Sequence, residues 1–469
     1  MTTTEAALSR PVALLVAGTF FMETLDGTII GTAAPAMARS FGVASSDIGV
    51  CVTAYLVTLA VLIPVSGYVA DRWGARRTFL AAIVVFTVAS ALCATSQNLL
   101  VLLLMRVLQA VGGAMMVPVG RLVVLRTTSK QDMIRAIAYL TWPALIAPIA
   151  APVLGGLLVS YASWQWIFLL NVPLGVVAVL VGARVMPRLP TVTAAVFDVG
   201  GALLCAAALG CLVYAATLVG STEVPWARVA LFGAACVVAT IAAVRHLRRA
   251  ANPLLDLTVL RIRTFRVAHA DGGVFRMAIN AVPFLLPLMF QDRFGWSPVQ
   301  AGAMVLFVFV GNLAIKPATT PMLTRLGFRT VLVLSTSGAV VCVAACAALT
   351  PATPLPVTAA LVMLGGTFRS IGFTAYNTIA FADVEPSRMS TANPLAATLQ
   401  QLAQGLGVAA GVLALQLGIH VVGLSAAYPF AFLIVGASML VSVIEAARLP
   451  RSAGESIGGG SKKTTASAR

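Results

Sequence analysis

Charged side chains are scarce in this chain: Asp, Glu, Lys and Arg supply 10% of its 469 residues, against 59% hydrophobic residues. A soluble domain carries charge on about a quarter of its residues, so an ordinary water-facing surface is excluded. The mean hydropathy of +0.97 points to lipid as the main solvent. Carboxylates are scarcer still, at 15 against 31 Lys and Arg. This excess does not mark a nucleic-acid binder, because the basic residues sit in short stretches between apolar runs rather than on one amphipathic face. The three histidines, His246, His269 and His420, are dispersed and join no nucleophile-base or metal-ligand grouping, so an enzymatic role and a bound metal are not expected. The seven cysteines lie inside apolar runs with no metal-ligand spacing or disulfide framework, and read as small buried hydrophobes. No G-x-x-x-x-G-K-S/T phosphate loop occurs, and the GGGSKKT stretch near the C-terminus does not fit it, so neither ATP nor any other cofactor is expected to supply the energy.

What the chain does have is a nearly continuous series of apolar runs. A spanning helix needs ~20 apolar residues, because lipid cannot satisfy backbone N–H and C=O groups. Runs between charged or Pro/Gly breaks predict fourteen transmembrane helices, near 12–34, 48–70, 79–96, 99–120, 137–160, 166–186, 198–219, 226–247, 268–290, 299–320, 330–350, 356–379, 395–419 and 427–447. Glu23 and Asp26 interrupt the first run, which is longer than the ~7–15-residue core of a signal peptide, so it reads as a retained first helix. Arginines accumulate in alternate loops, among them Arg184, Arg188, Arg245, Arg248, Arg249, Arg325, Arg329 and Arg388. By the positive-inside rule both termini then face the cytoplasm of a plasma (inner) membrane, which requires an even number of helices. The segment 451–469 is rich in Gly, Ser, Lys and Thr, has no apolar face, and is expected to be a disordered cytoplasmic tail.

The loop from Gly67 to Arg76 aligns with Thr320 to Arg329, with Arg72, Gly74 and Arg76 recurring as Arg325, Gly327 and Arg329, which suggests two related halves. Several segments are more specific. They are Gly67, Asp71, Arg72, Gly74, Arg76 and Arg77 as G-x-x-x-D-R-x-G-x-R-R, and Leu25 to Ile30 in the first helix. Further pieces are Arg106, Gln109, Gly112 and Gly113 in the fourth helix, and Pro148, Pro152, Gly155 and Gly156 in the fifth. Trp164 to Pro173 and Pro253 to Leu257 complete the set. On these the chain resembles the major facilitator superfamily, and within it the fourteen-helix drug:proton antiporters of the EmrB/QacA type. It departs from their pattern at Gly31, Ala151 and Gln165. The resemblance implies an all-α polytopic fold of two six-helix halves, 1–190 and 251–450, with two inserted helices in 191–250.

Charges inside the hydrocarbon layer are the informative residues, since each costs at least ~2.5 kcal/mol at a helix centre unless paired or facing water. Asp26, Glu23 and Arg106 lie in the first and fourth helices, Arg276 and Arg369 in the ninth and twelfth. The resemblance implies that these helices line a central cavity. Asp26 and Glu23 with Arg106 are expected to form a proton-coupling site; a purely structural ion pair of Asp26 with Arg106 is the competing reading. The loop glycines allow a tight turn, and Asp71 is expected to cap or pair across the interface between the halves and so hold one gate state. Pro148, Pro152, Gly155 and Gly156 should make a kinked, tightly packed helix that the resemblance links to export. Phe21, Gln109, Met116, Arg276, Asn280, Arg369, Tyr376 and Asn377 are candidates for the substrate cavity. The expected activity is proton-coupled export of small amphipathic compounds by alternating access, with lipid, protons and a small molecule as partners and no nucleic acid. A periplasmic adaptor is left open. The two mid-membrane cations Arg276 and Arg369 favour an organic-anion carrier as the alternative. A non-transporting membrane sensor would carry an added signalling domain, and none is visible.

Overall fold

The structure is a computed structural model that describes residues 10–128, 133–189, 197–219, 225–385 and 388–450. The expected tail at 451–469 lies outside the described residues. Apolar sequence and internal backbone bonding produce helices throughout. The first six spans are α1 (Arg10–Phe41), α2 (Gly49–Trp73), α3 (Ala75–Ala94), α4 (Leu99–Thr127), α5 (Met133–Tyr161) and α6 (Trp166–Val185). Then come α7 (Val199–Val219) and α8 (Trp226–Arg249). α9 (Asp271–Leu288) follows a short helix Arg263–His269, and α10 is Pro298–Ala314. The helix Lys316–Cys346 is interrupted at Gly327; its first part continues α10, and α11 names its second part, 328–346. The last spans are α12 (Leu355–Ala380), α13 (Met389–Val422) and α14 (Leu424–Ala447).

Among the described residues, eleven helices are long and apolar enough to cross a membrane, and three shorter apolar ones within α5, α7 and α10 bring the spans to fourteen. Several helices outrun their expected bounds; α13 begins at Met389 rather than near 395, because helical pairing continues past the last lipid-facing residue. Caps mark entries where polar side chains allow it. Asn98 accepts from the Val101 amide at 2.9 Å, and Ser297 and Gln300 bond each other's backbone at the start of α10. The aligned loops share a backbone device. Gly74 (φ 89°) and Gly327 (φ 76°) both take positive φ at the break between consecutive spans, a conformation other residues rarely adopt. The repeat read from sequence is thus also a repeat of chain geometry.

α1 to α6 pack on one another, as do α9 to α14, and α7 and α8 form a hairpin. α7 rests its Val213 on Ala54 and Val57 of α2, whereas α8 exposes Trp226, Leu231, Val237, Val238 and Ile241, as suits a lipid-facing helix. The cysteines divide along the same line. Cys51, Cys93, Cys342 and Cys346 are buried, but Cys205, Cys211 and Cys236 on the hairpin are only half-buried, because the hairpin has few neighbours to cover them. At the arginine-rich end, Asp198 accepts from His246 Nε2 at 2.6 Å and from the amides of Gly201 at 2.8 Å and Leu254 at 3.0 Å. The carboxylate caps α7 and ties both hairpin helices to the segment leading into α9.

The two six-helix groups touch at the end opposite the arginine-rich loops. Four hydrogen bonds join them among the described residues: Ser45 to Asp292 at 3.1 Å, Gln416 to Ser46 at 2.7 Å, Gln291 to the Thr32 carbonyl at 3.0 Å and Thr53 to the Gly405 carbonyl at 3.3 Å. Asp292 also accepts from Tyr428 at 3.0 Å. A π-helical turn, Met289–Arg293, ends α9 and presents Gln291 and Asp292 to the other half. Small residues let α5 and α10 meet backbone to backbone. A Cβ added at Gly302 would stand 2.1 Å from the Pro152 carbonyl, and one at Gly156 would stand 2.6 Å from that of Pro298.

Gly302→Leu cannot keep that contact, so the halves should separate at this end. Labelling of Ser45→Cys by a membrane-impermeant maleimide should rise in the Gly302→Leu background; unchanged labelling would show that the contact holds nothing closed. A second outcome concerns the hairpin. Burial raises the Asp198 pKa, but the bonds from Gly201, His246 and Leu254 outweigh it and hold the carboxyl below its ordinary value. Its contribution is therefore complete above the ordinary pKa of about 4 and lost as pH falls through the lowered folded value. Hydrogen exchange in the first turn of α7 should rise only in that acid range, and at every pH in Asp198→Ala.

Candidate functional site

α1 carries Asp26 into the middle of the N-terminal half, where the side chain is fully buried. Its Oδ2 accepts from Arg106 Nη1 at 2.5 Å, and its Oδ1 accepts from Gln109 Nε2 at 2.9 Å and Asn171 Nδ2 at 2.8 Å. Arg106 and Gln109 lie one turn apart on α4 and therefore share a face, and Arg106 Nη1 also reaches Gln109 Oε1 at 2.5 Å. Ser90 of α3 completes the set. Its hydroxyl accepts from Asn171 at 2.9 Å and Gln109 at 3.1 Å and donates to the Phe168 carbonyl at 3.0 Å. Arg106 Cζ stands over the ring of Tyr55 of α2, 4.0 Å from its centroid.

This network neutralises Asp26 with one cation and gives its oxygens three donors, as a carboxylate removed from water requires. It is not saturated. Arg106 Nε, Arg106 Nη2 and the Tyr55 hydroxyl are buried without a hydrogen-bond partner. Glu23 is half-buried one turn before Asp26 and makes no ion pair among the described residues. It converges with Tyr55 on Gly113, where an added Cβ would sit 3.3 Å from Glu23 Oε1 and 3.2 Å from the Tyr55 hydroxyl. Sequence reading missed Ser90, Tyr55 and Asn171 as partners, although a polar residue within an apolar run, as at Asn171 before Pro173, was the available signal. Gln109, expected in the substrate cavity, is instead enclosed in the Asp26 network with no exposed surface. Met116 is likewise fully buried, packed in the same core as Phe79 and Val119, and therefore lines no open cavity.

The matching region of the C-terminal half is built from cations. Arg276 of α9 is buried and donates to the Ala268 carbonyl and to Asn377 Oδ1, both at 2.6 Å. One turn on, Asn280 donates to the Arg276 carbonyl at 2.7 Å and accepts from Arg369 Nη2 of α12 at 3.2 Å. Lys316 donates to Thr374 Oγ1 of α12 at 3.0 Å. Tyr376 is fully buried and packs its ring against Phe275, 5.5 Å between centroids, rather than facing open space. Phe21 is half-buried against the main apolar core.

At the junction of α2 and α3, Asp71 in the last turn of α2 accepts from Arg126 of α4 at 3.3 Å, and Arg76 in the first turn of α3 donates to the Ala183 carbonyl of α6. Gly67 has open space beside it, and Arg72 and Arg77 are exposed. Asp71 thus pairs within its own half and not across the interface, because the halves meet at the other end of the bundle. In α5, Gly155 lies against α1, where an added Cβ would be 2.9 Å from Ile29 Cγ1. Pro152 and Gly156 meet α10, and Pro148 is half-buried. No group of three or more His, Cys, Asp or Glu able to hold a metal occurs among the described residues.

The family model for the Major Facilitator Superfamily matches residues 16–408 and 272–466. The chain belongs to the major facilitator superfamily. Membership makes it a multi-pass membrane carrier rather than an enzyme, with the all-α polytopic fold described above. It is 37% identical over 406 residues to MdtD of Escherichia coli O6:H1 (strain CFT073), a protein named for multidrug resistance, covering 84% of this chain and 83% of that one. MdtD of Escherichia fergusonii matches to the same extent, 37% over 406 residues with the same coverage. Among solved structures, a D-xylose-proton symporter superposes with a TM-score of 0.68 at 12% identity, over 96% of this chain and 99% of that chain. The nucleoside transporter NupG gives 0.64 at 14%, over 93% and 98%. At such identities the superpositions establish the superfamily fold alone.

Removing Arg106 strands a buried carboxylate, and breaking one side of a buried pair costs ~3–5 kcal/mol. Arg106→Leu should therefore lower the midpoint of thermal unfolding in detergent by many degrees, and Asp26→Asn in the same chain should recover much of that loss. A double variant no more stable than Arg106→Leu would show that the pair is not what holds these helices.

Proposed function

We propose that this carrier exports small amphipathic organic compounds in exchange for protons, by alternating access, from the inner membrane with both termini cytoplasmic. The observation that carries the reading is the Asp26 network. A membrane carboxylate on α1, held by one arginine and two amides from α4 and α6, can change its protonation only if those helices move, which links proton binding to conformation. The name of MdtD, at 37% identity, supports multidrug compounds as the cargo.

Two six-helix halves, 1–190 and 251–450, then rock about the substrate, with the inserted pair in 191–250 as a lipid-facing accessory. Taking the arginine-rich loops as cytoplasmic, contacts confined to the opposite end correspond to an inward-facing state. In it the half-buried Glu23 is the carboxyl within reach of protons from the cytoplasm, Asp26 stays enclosed until the helices around it move, and the segment holding Asp71, Arg72, Arg76 and Arg77 is free of the other half. Closing that side brings the segment across the interface and releases the contacts around Asp292. The close approach of Pro152 and Gly156 to α10 makes α5 a hinge for this movement.

Purified protein in liposomes with an imposed proton gradient should move an amphipathic probe, scored with both a lipophilic cationic dye and a lipophilic aromatic acid. Asp26→Asn keeps the shape of the site but loses the titrating group, and should abolish gradient-driven movement while leaving exchange at equilibrium. Full gradient-driven transport by Asp26→Asn would overturn the coupling role.

A further inference from the structure

The membrane interior of this protein is electrically lopsided. In the N-terminal half the Arg106 cation has its carboxylate, Asp26, and a second carboxylate, Glu23, lies nearby. In the C-terminal half Arg276, Arg369 and Lys316 stand on or between α9 and α12, and none of the three is in an ion pair among the described residues. Their partners are neutral oxygens: the Ala268 carbonyl, Asn377, Asn280 and Thr374. Among these buried or half-buried groups four cations, Arg106, Arg276, Arg369 and Lys316, thus stand against two carboxylates, Asp26 and Glu23, although an unpaired charge at a helix centre costs ~2.5–3.5 kcal/mol or more.

Two of the three cations are linked through Asn280, and the third is anchored on the same helix α12. Asn280 sits one turn after Arg276 on α9, bonds the Arg276 carbonyl and takes a bond from Arg369. Arg369, Thr374 and Asn377 follow one another along α12, so Lys316 and Arg276 reach the same helix within two turns of Arg369. Donors remain to be filled. Arg276 is 1% exposed and its Nε has no partner, and Arg369 Nη1 is buried without one. A guanidinium normally fills a forked set of donors with an oxyanion, and here the protein supplies only single amide and carbonyl oxygens. Apolar surface lies alongside. Arg369 borders a cavity lined by Ile279, Leu286, Val308, Cys342 and Cys346, and Phe373 lies 5.6 Å from the Arg276 guanidinium.

We infer that Arg276, Arg369 and Lys316 form an anion subsite on the substrate path, so that the preferred cargo is an amphipathic organic acid whose carboxylate, or comparable oxyanion, binds between α9 and α12. The inference rests on the transport reading given above and specifies its cargo. The anion supplies the negative charge that Arg276, Arg369 and Lys316 are without among the described residues, and its apolar body contacts the neighbouring aromatic and aliphatic side chains. A lipophilic cation meets three like charges at the same place.

The test separates binding from movement. Binding of naphthalene-1-carboxylate and of its uncharged amide is measured by calorimetry on purified full-length protein in detergent. Proton-driven uptake of both, and of a lipophilic cationic dye, is measured in liposomes. Wild type should bind the acid at least tenfold more tightly than the amide. Arg369→Gln and Lys316→Gln should each weaken acid binding about tenfold and leave the amide unchanged, and Arg369→Lys, which keeps the charge, should restore most of the loss. Lys316→Gln guards against a folding defect, since Lys316 is only half-buried and makes one side-chain hydrogen bond. Equal binding of acid and amide, or equal weakening of both in the variants, overturns the subsite. Transport of the dye without binding of the acid overturns the subsite and leaves the carrier reading in place. Binding of the acid with the expected variant pattern but no movement of any probe supports the subsite and overturns the carrier reading.

Discussion

Lipid offers a carboxylate neither a counter-ion nor a hydrogen bond, so the protein itself must supply everything that Asp26 needs. It does so by drawing donors from separate spans: Arg106 and Gln109 from α4 and Asn171 from α6, with Ser90 of α3 holding the two amides in place. Helix packing in lipid has little hydrophobic driving force of its own, and interhelical hydrogen bonds and close contacts replace it. The Asp26 network therefore organises the N-terminal half as well as carrying a charge. Gly112 serves the same arrangement. It lets α4 press against the α3 backbone, where an added Cβ would be 2.6 Å from the Phe86 amide, and so brings Gln109 within reach of Ser90.

The two halves solve the problem of buried charge differently. The N-terminal half pairs its arginine internally and encloses the pair. The C-terminal half leaves Arg276 and Arg369 on neutral oxygens among the described residues, which satisfies some donors but not the charge. A common chain geometry, with the matching breaks at Gly74 and Gly327, thus carries two unlike sets of side chains. That division suits a carrier that handles a proton on one side of its pseudo-symmetry axis and a substrate on the other.

The helix count, the repeated loop and the intramembrane charges were legible in the sequence, because long apolar runs, a recurring Arg-x-Gly-x-Arg and an acid or arginine within such a run each stand out against their surroundings. What was not legible is who meets whom. Ser90 and Tyr55 resemble any polar residue in a span. Gln109 looked suited to a cavity, yet its place one turn from Arg106 encloses it in the same network. Asp71 was expected to bridge the halves, but Arg126, distant in sequence, is nearer in this conformation. Such contacts depend on helix rotation and crossing, which apolar runs alone do not encode. Gln291 and Asp292 are the plainest case. The expected ninth helix stops near 290, short of both, and the π turn after Pro283 and Pro287 aims them at the other half.

The contacts that close this end are also of the right strength for a moving part. Each hydrogen bond between the halves contributes about 0.5–1.5 kcal/mol net, so the four described here add only a few kcal/mol to the apolar packing of α2 on α13 and of α5 on α10. A ligand shifts a two-state equilibrium by no more than its differential affinity for the two states, and a shift of ~5.5 kcal/mol is enough to invert a population from 1:99 to 99:1. A latch of many ion pairs would exceed what a proton and a small molecule can supply. A latch of hydroxyl, amide and carbonyl contacts lies within that range. The rigid interior of each half and the weak seam between them are therefore complementary requirements: the buried charge network resists deformation, and the free energy of binding is left to act on the seam.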